Sequence, residues 1–210
     1  YMVIHNLDTY AYINNYVLIL ANVVVFLLCL SLIGISLHVI AKRDKGLFNS
    51  AYKDELTGLY NRRAYEESLD RIRKEVPGEK MMVVVIFDVN GLKEVNDKLG
   101  HAAGDELLRG AASTIRSVYG NYGKCYRTGG DEFVVILEEP VEKLSVLNEN
   151  FEKADAKWHG KQVAELNVSY GAALSEEVCS IDEQIILADQ RMYFDKKAYY
   201  QRIGKDRRSY

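Results

Sequence analysis

Proline, cysteine and a dominant sign of charge are all scarce in this chain. Two prolines among 210 residues, with 48% hydrophobic residues, argue against a disordered chain and for a compact fold. Three cysteines (Cys29, Cys125, Cys179) are odd in number, widely spaced and not in metal-type pairs. That pattern excludes a disulfide framework and fits a reducing compartment. A formal net charge of −3 supplies no global basic field, so nucleic acid is not an expected partner. No internal repeat and no low-complexity segment is visible. The length leaves room for one ordinary domain and an appendage.

Charge is missing outright from Val17 to Ala41, a run dominated by Val, Leu and Ile whose clearly polar members are Asn22, Ser31, Ser36 and His38. About 20 apolar residues cross a bilayer as a helix, so residues 17–41 are expected to be a single transmembrane span. A secretory signal would have a shorter apolar region, a basic segment before it and a small-residue cleavage site after it. Here Lys42, Arg43 and Lys45 follow the run. The positive-inside rule then puts residues 1–16 outside and everything after the span in the cytoplasm, with the chain anchored in the cytoplasmic (inner) membrane. The chain begins at Tyr1 rather than Met, which suggests an N-terminal portion beyond it.

Residues 42–53 read as a charged connector compatible with a helix, and residues 54–210 as a soluble domain. Thr57 or Asn61 can cap a first helix running through Arg73, with Tyr65, Leu69 and Ile72 near helical spacing and Pro77-Gly78 ending it. Met81 to Phe87 is an unbroken apolar run of strand length, expected to be a central strand buried on both faces, with Asp88 at its exit. Residues 104–118 carry a helical stripe of Leu107, Leu108, Ala111, Ala112, Ile115 and Val118. After a Gly129-Gly130 hairpin come a helix near residues 144–158, a strand near 166–174 and a last helix near 181–199. Strands interleaved with helices but interrupted by a hairpin predict an α/β sandwich. Its sheet should be mixed and largely antiparallel rather than doubly wound and parallel.

Chemistry concentrates at two acidic loci. In Arg127-Thr-Gly-Gly-Asp-Glu-Phe133 the two glycines suggest a two-residue primed turn, with Asp131 and Glu132 at its mouth. Alone, that is an acidic surface turn. The second locus is Asp88, which ends the buried strand. If the two strands are neighbours, the carboxylates meet at one sheet edge, and converging acids suit Mg²⁺, which takes oxygen ligands and shares its shell with phosphate. Between the loci, Gly91 permits a tight turn with exposed N–H groups, and Lys93 adds a positive charge there. Asn96 and Asp105 have the donors and acceptors to read a purine edge. Each also has a plainer reading, Lys93 as a solvated lysine and Asn96 and Asp105 as helix caps.

Taken together, Phe87-Asp-Val-Asn-Gly-Leu-Lys-Glu-Val-Asn-Asp-Lys-Leu-Gly-His-Ala-Ala-Gly-Asp105 and the Gly-Gly-Asp-Glu-Phe motif closely resemble the GGDEF-domain family of diguanylate cyclases. Asp54-Glu-Leu-Thr-Gly-Leu-Tyr-Asn-Arg-Arg63 resembles that family's opening signature, and Ala188-Asp-Gln-Arg-Met-Tyr193 with Lys196 its C-terminal helix. The resemblance implies a palm-like fold of the nucleotidyl-cyclase type in residues 54–210. It implies condensation of two GTP into cyclic di-GMP with Mg²⁺ or Mn²⁺, two ions per site. A homodimer follows, because one site holds one GTP and the product contains two guanylates.

By the same resemblance Asp88, the Val89 carbonyl and Asp131 bind metal, and Glu132 binds metal or activates the ribose 3′-hydroxyl. Gly129 and Gly130 lie against the nucleotide. Lys93 and Lys196 contact the triphosphate, Asn96 and Asp105 read guanine, and Leu108 packs beside the base. Three positions depart from the family pattern. Asn90 replaces a second acid after the strand, and Tyr200 stands where an arginine is usual. Gly120-Asn121-Tyr122-Gly123 replaces the Arg-x-x-Asp of the product-inhibition site.

Overall fold

The structure, a computed structural model, describes residues 2–74, 81–137 and 143–204, with side chains for all of these except 2–13, 41 and 44–47. The expected Pro77-Gly78 stop lies outside the described residues. The chain divides into two units, Tyr1–Asn49 and Ser50–Tyr210.

The first unit is helical. Helix α1 runs from Met2 to Tyr52, and its stretch Asn14–Ile40, with mean hydropathy 2.8, is long and apolar enough to cross a membrane. Leu18, Phe26 and Leu32 are exposed, as are the apolar side chains around them. A helix apolar on all sides with no protein cover has no polar face to give to water.

The second unit is built on four strands, β1 (Val83–Val89), β2 (Gly123–Arg127), β3 (Glu132–Leu137) and β4 (Val168–Leu174), in the order β2-β3-β1-β4. The three strand pairs are antiparallel. The one parallel pairing among the described residues is the isolated bridge between Tyr60 and Tyr126. Helices α2 (Arg62–Ile72), α3 (Leu92–Leu99), α4 (His101–Tyr119), α5 (Leu144–Lys157) and α6 (Ile181–Arg202) complete the order.

The sheet has a core on each face, and alternation along β1 assigns its side chains between them. Val83, Val85, Phe87 and Val89 join Leu107, Ala111, Ile115 and Tyr119 of α4 and Phe151 of α5. Val84 and Ile86 join Leu69 and Ile72 of α2 and Ala188 and Met192 of α6. Every residue of β1 is buried, as its Val-rich run predicts. The strand is displaced from its expected bounds, however. Met81 is exposed, and pairing continues through Asp88 to Val89, because Glu132 and Ser169 flank Asp88 on either side. Asp88 therefore lies inside the strand, not at its exit. Its even register puts it on the α6 face.

Two local features position the site. Asn61 caps α2, its Oδ1 accepting from the Ala64 N–H at 3.0 Å, while Thr57 is engaged by Asp54, to which its hydroxyl donates at 2.6 Å. Helix α3 was not expected as a separate element; it starts after Gly91 (φ 73) and is broken from α4 by Gly100 (φ 86). Both turns need the left-handed backbone that glycine alone adopts without penalty. At the open edge of the sheet, the outward N–H groups of Val168, Tyr170 and Leu174 donate to Asp155, Asp195 and Glu177. Arg191 donates to the Ala172 carbonyl on the same side. Side chains thus occupy an edge that would otherwise template further strands.

Candidate active site

Antiparallel pairing brings the two acidic loci to one sheet edge. Asp88 and Glu132 are cross-strand partners, and the Val89 N–H donates to the Asp131 carbonyl at 3.1 Å. Asp88 is 7% exposed, and its Oδ1 lies 2.5 Å from Lys196 Nζ. That contact follows from register, since Lys196 is one turn beyond Met192 on the face of α6 that packs against the even residues of β1. Burial raises the Asp88 carboxyl above the usual range, and the charges of Asp131 and Glu132 push the same way against the opposing pull of Lys196. The three carboxylates are close enough to feel one another.

The hairpin carrying the signature differs from the primed two-residue turn. Thr128 to Asp131 connect the strands, and neither Gly129 nor Gly130 has positive φ. The Thr128 and Gly129 N–H groups both reach the Glu132 carbonyl, at 3.1 and 3.4 Å, so a wider loop replaces the tight turn. Gly129 is needed for close approach instead: a Cβ there would meet Glu132 Oε2 at 2.8 Å. The Glu132 carboxylate therefore folds back over the turn. Among the described residues no three His, Cys, Asp or Glu side chains form a preassembled metal cluster.

Beside this edge is a cleft of about 190 Å³, lined by Val89, Gly91, Lys93, Asp131 and Lys196, as well as Leu92, Glu94 and Tyr200. The expected metal and phosphate residues thus fall together. The Asp88 and Asp131 carboxylates and the Val89 carbonyl are oxygen donors, as a hard divalent cation requires, and next in the chain Asn90 Oδ1 is buried without a partner. The donor set fits Mg²⁺ or Mn²⁺.

The expected base-reading residues form a second group on α3 and α4. The Asn96 side chain lies over Gly104, the residue before Asp105, where a Cβ would come within 2.0 Å of its Oδ1. Asp105 has only a long contact to Arg109, 3.6 Å, and about half of its side chain is exposed. Leu108, expected beside a base, is 5% exposed and belongs to the core beneath α4.

A latch not anticipated from the sequence ties the hairpin to the segment after α1. Arg127 donates to Asp54 at 3.1 Å and to the Gly130 carbonyl at 2.7 Å. Burial would raise the Asp54 carboxyl, but hydrogen bonds from Thr57 and from Arg127 outweigh it and hold the group below its ordinary range. The signal was present as an Asp and an Arg within two motifs, 73 residues apart; only pairing of Tyr60 with Tyr126 brings them together.

Residues 51–202 match the family model described as "Diguanylate cyclase, GGDEF domain", and the chain belongs to that family. It is 36% identical over 161 residues to the probable diguanylate cyclase DgcI of Escherichia coli K12, an alignment covering 74% of this chain and 34% of DgcI. It is 32% identical over 169 residues to the diguanylate cyclase DgcN of the same organism, covering 78% and 40%. Among solved structures, the coiled coil and GGDEF domain of DgcB from Caulobacter crescentus, in complex with c-di-GMP, superposes with a TM-score of 0.66 at 25% identity, covering 81% of this chain and 91% of that one. The chain spans well under half the length of these curated relatives.

Proposed function

We propose that this protein is a membrane-anchored diguanylate cyclase that condenses two GTP into cyclic di-GMP and two pyrophosphates. The observation that carries the reading is the register pairing Asp88 with Glu132, which collects Asp88, Val89 and Asp131 at one edge, with Lys93 and Lys196 on the walls of the adjoining cleft.

In this reading residues 1–16 are extracytoplasmic, 17–41 cross the cytoplasmic membrane once, 42–53 connect, and 54–210 form the catalytic domain. Lys93 and Lys196 hold the triphosphate, Asn96 and Asp105 hydrogen-bond the guanine edge, and Gly129 and Gly130 let the nucleotide approach the backbone. Asp88, Asp131 and the Val89 carbonyl would hold Mg²⁺ or Mn²⁺, two ions per site. When bound, these supply charge neutralisation at the phosphates and acidify the ribose hydroxyl. Glu132 takes part in metal binding or in drawing the 3′-hydroxyl proton. Each 3′-oxygen forms a bond to the α-phosphorus of the other GTP as the bond to pyrophosphate breaks, so two copies of the domain must face each other. Catalysis is then positioning and charge stabilisation.

The test is direct. The full chain in detergent micelles, given GTP and Mg²⁺, should produce cyclic di-GMP detectable by chromatography. A chain that binds GTP and forms none would instead support a silent GTP-binding or partner-regulating module, the reading that the neutral Tyr200 in the cleft favours.

A further inference from the structure

Helix α6 has two unlike faces. Ile181, Gln184, Ala188 and Met192 are buried on the sheet side. The other side presents Glu183, Ile186, Gln190, Phe194 and Lys197 to solvent, with Ile186 57% and Phe194 66% exposed. Steps of three and four residues keep these five on one stripe. Tyr193 widens its apolar part, the ring edge-on to Phe194 with centroids 6.3 Å apart. Neighbouring charges on the helix are engaged within the domain: Asp182 pairs with Arg73 at 2.7 Å and Arg191 with Glu177 at 2.6 Å. The charges of the stripe itself are Glu183 and Lys197. Glu183 Oε2 accepts from the Cys179 N–H at 2.9 Å, and its second oxygen can take a lysine.

The order of residues along this stripe is its own complement. From Gln190, Ile186 lies four residues back and Phe194 four ahead, while Glu183 lies seven back and Lys197 seven ahead. Turned end for end about Gln190, the stripe sets Ile186 against Phe194 and Glu183 against Lys197, each pair occurring twice. A two-fold, isologous contact requires that self-complementarity. We propose that this face of α6 docks on the same face of a second copy of the chain, the two helices antiparallel and crossing at Gln190. An anionic lipid surface would repel Glu183, and an unrelated partner has no use for a stripe matched to its own reverse. The contact is small for a dimer formed in free solution. Helix α1, long and apolar enough to cross a membrane, would hold copies together at high local concentration. Lys196 points away from the stripe, onto Asp88 in the sheet. This pair is therefore not the cleft-to-cleft meeting that synthesis needs, and it stands apart from the GTP reading.

Cross-linking of the full chain in phosphatidylcholine–phosphatidylglycerol vesicles tests it. Cys29 and Cys179 are exposed and Cys125 is buried, so Cys29→Ser with Cys179→Ser gives a background without accessible thiols. In that background Gln190→Cys puts a thiol on the two-fold axis, where facing Cα atoms of packed helices come to roughly 5 Å, within disulfide reach. Mild oxidation should convert most of this variant to a covalent dimer. Gln201→Cys, exposed on the same helix but roughly 33 Å from its copy in the pair, should stay monomeric. Adding Lys197→Glu to Gln190→Cys sets acid against acid and should cut the yield severalfold, and Glu183→Lys in the same chain should restore it. Equal cross-linking of Gln190→Cys and Gln201→Cys, no cross-linking of either, or a yield that the charge swap does not restore overturns the proposal. So does a Gln190→Cys thiol that stays reduced and is shielded by the vesicles from a water-soluble maleimide, which would put this face on lipid.

Discussion

At the scale of single residues, Asp131 and Gly104 make opposite demands on the site. Asp131 is a rim acid outside both cores, so Asp131→Asn should leave the fold and its thermal midpoint unchanged. On the proposed reading cyclic di-GMP synthesis should fall to about 1% or less, since one charge is lost from the set that would hold the cation. Near wild-type turnover at moderate Mg²⁺ would remove Asp131 from that set. Gly104 is a helix-interior glycine where the nearest atoms a methyl group would meet are those of the Asn96 side-chain amide. Asn96 can rotate away, and alanine favours helix by about 1 kcal/mol. Gly104→Ala should therefore keep or raise stability while displacing Asn96 and raising KM for GTP. A variant with unchanged KM would take Asn96 out of the base pocket. Asp105→Ala should lower the preference for GTP over ATP by about tenfold or more, because a site built to hydrogen-bond an N–H rejects analogues lacking it. Competition between the two nucleotides measures this.

At the scale of elements, the β4 edge contains a titratable strap. Burial pushes the Asp155 carboxyl up to about 7, against the opposing hydrogen bond from the Val168 N–H, and its Oδ1 is buried without a partner. Between the unfolded pKa near 4 and the folded value near 7 the native state binds more protons than the unfolded chain, so Asp155 makes stability fall as pH rises through that window. Asp155→Asn keeps an acceptor for Val168 and removes the charge. Relative to wild type it should be more stable at pH 8, on the order of 1 kcal/mol after allowance for partial solvent screening, with the difference shrinking toward pH 4. Denaturant titrations at several pH values would show it, and a pH-independent difference would contradict it. Nearby, the Glu106 carboxylate accepts from the N–H groups of Lys161 and Gln162, and Trp158 packs on Gly110, where a Cβ would meet the indole at 2.5 Å. Elements that look independent in sequence, α4 and the loop after α5, are locked by these contacts.

For the molecule as a whole, activity should depend on how two copies meet. Replacing residues 1–41 with a constitutive dimeric coiled coil should raise turnover per domain at low protein concentration. An unchanged specific activity would argue that the N-terminal helix has no part in assembly. Accumulating product should not shut this activity off. At Gly120 a Cβ would lie 2.5 Å from the Arg116 carbonyl, and at Gly123 it would lie 2.1 Å from the Ile136 carbonyl. An arginine and an aspartate have no room at these two positions without a backbone shift, so no charged pair is available to clamp cyclic di-GMP. Inhibition by added cyclic di-GMP, non-competitive with GTP, would reveal another allosteric site.

What the sequence determined by itself was whatever depends on local pattern. The Val-rich run made a doubly buried strand, Asn61 capped α2, Gly91 turned the chain after β1, and ordered motifs identified the family. These are decided by backbone sterics, hydrophobic periodicity and the donors and acceptors of nearby residues. Tertiary structure alone decided the matters that depend on register and on distant neighbours. Asp88 lies inside β1 because β3 and β4 extend past it on both sides. Lys196 meets Asp88 because the even face of the strand looks at α6, and Leu108 joins the core because α4 turns that stripe inward. The Gly-Gly turn is wide because the Glu132 carbonyl takes two N–H groups. A sequence lists Asp88 and Lys196 108 residues apart without indicating that they will share a face; only chain pairing, by burying some groups and leaving others at the rim, makes that choice.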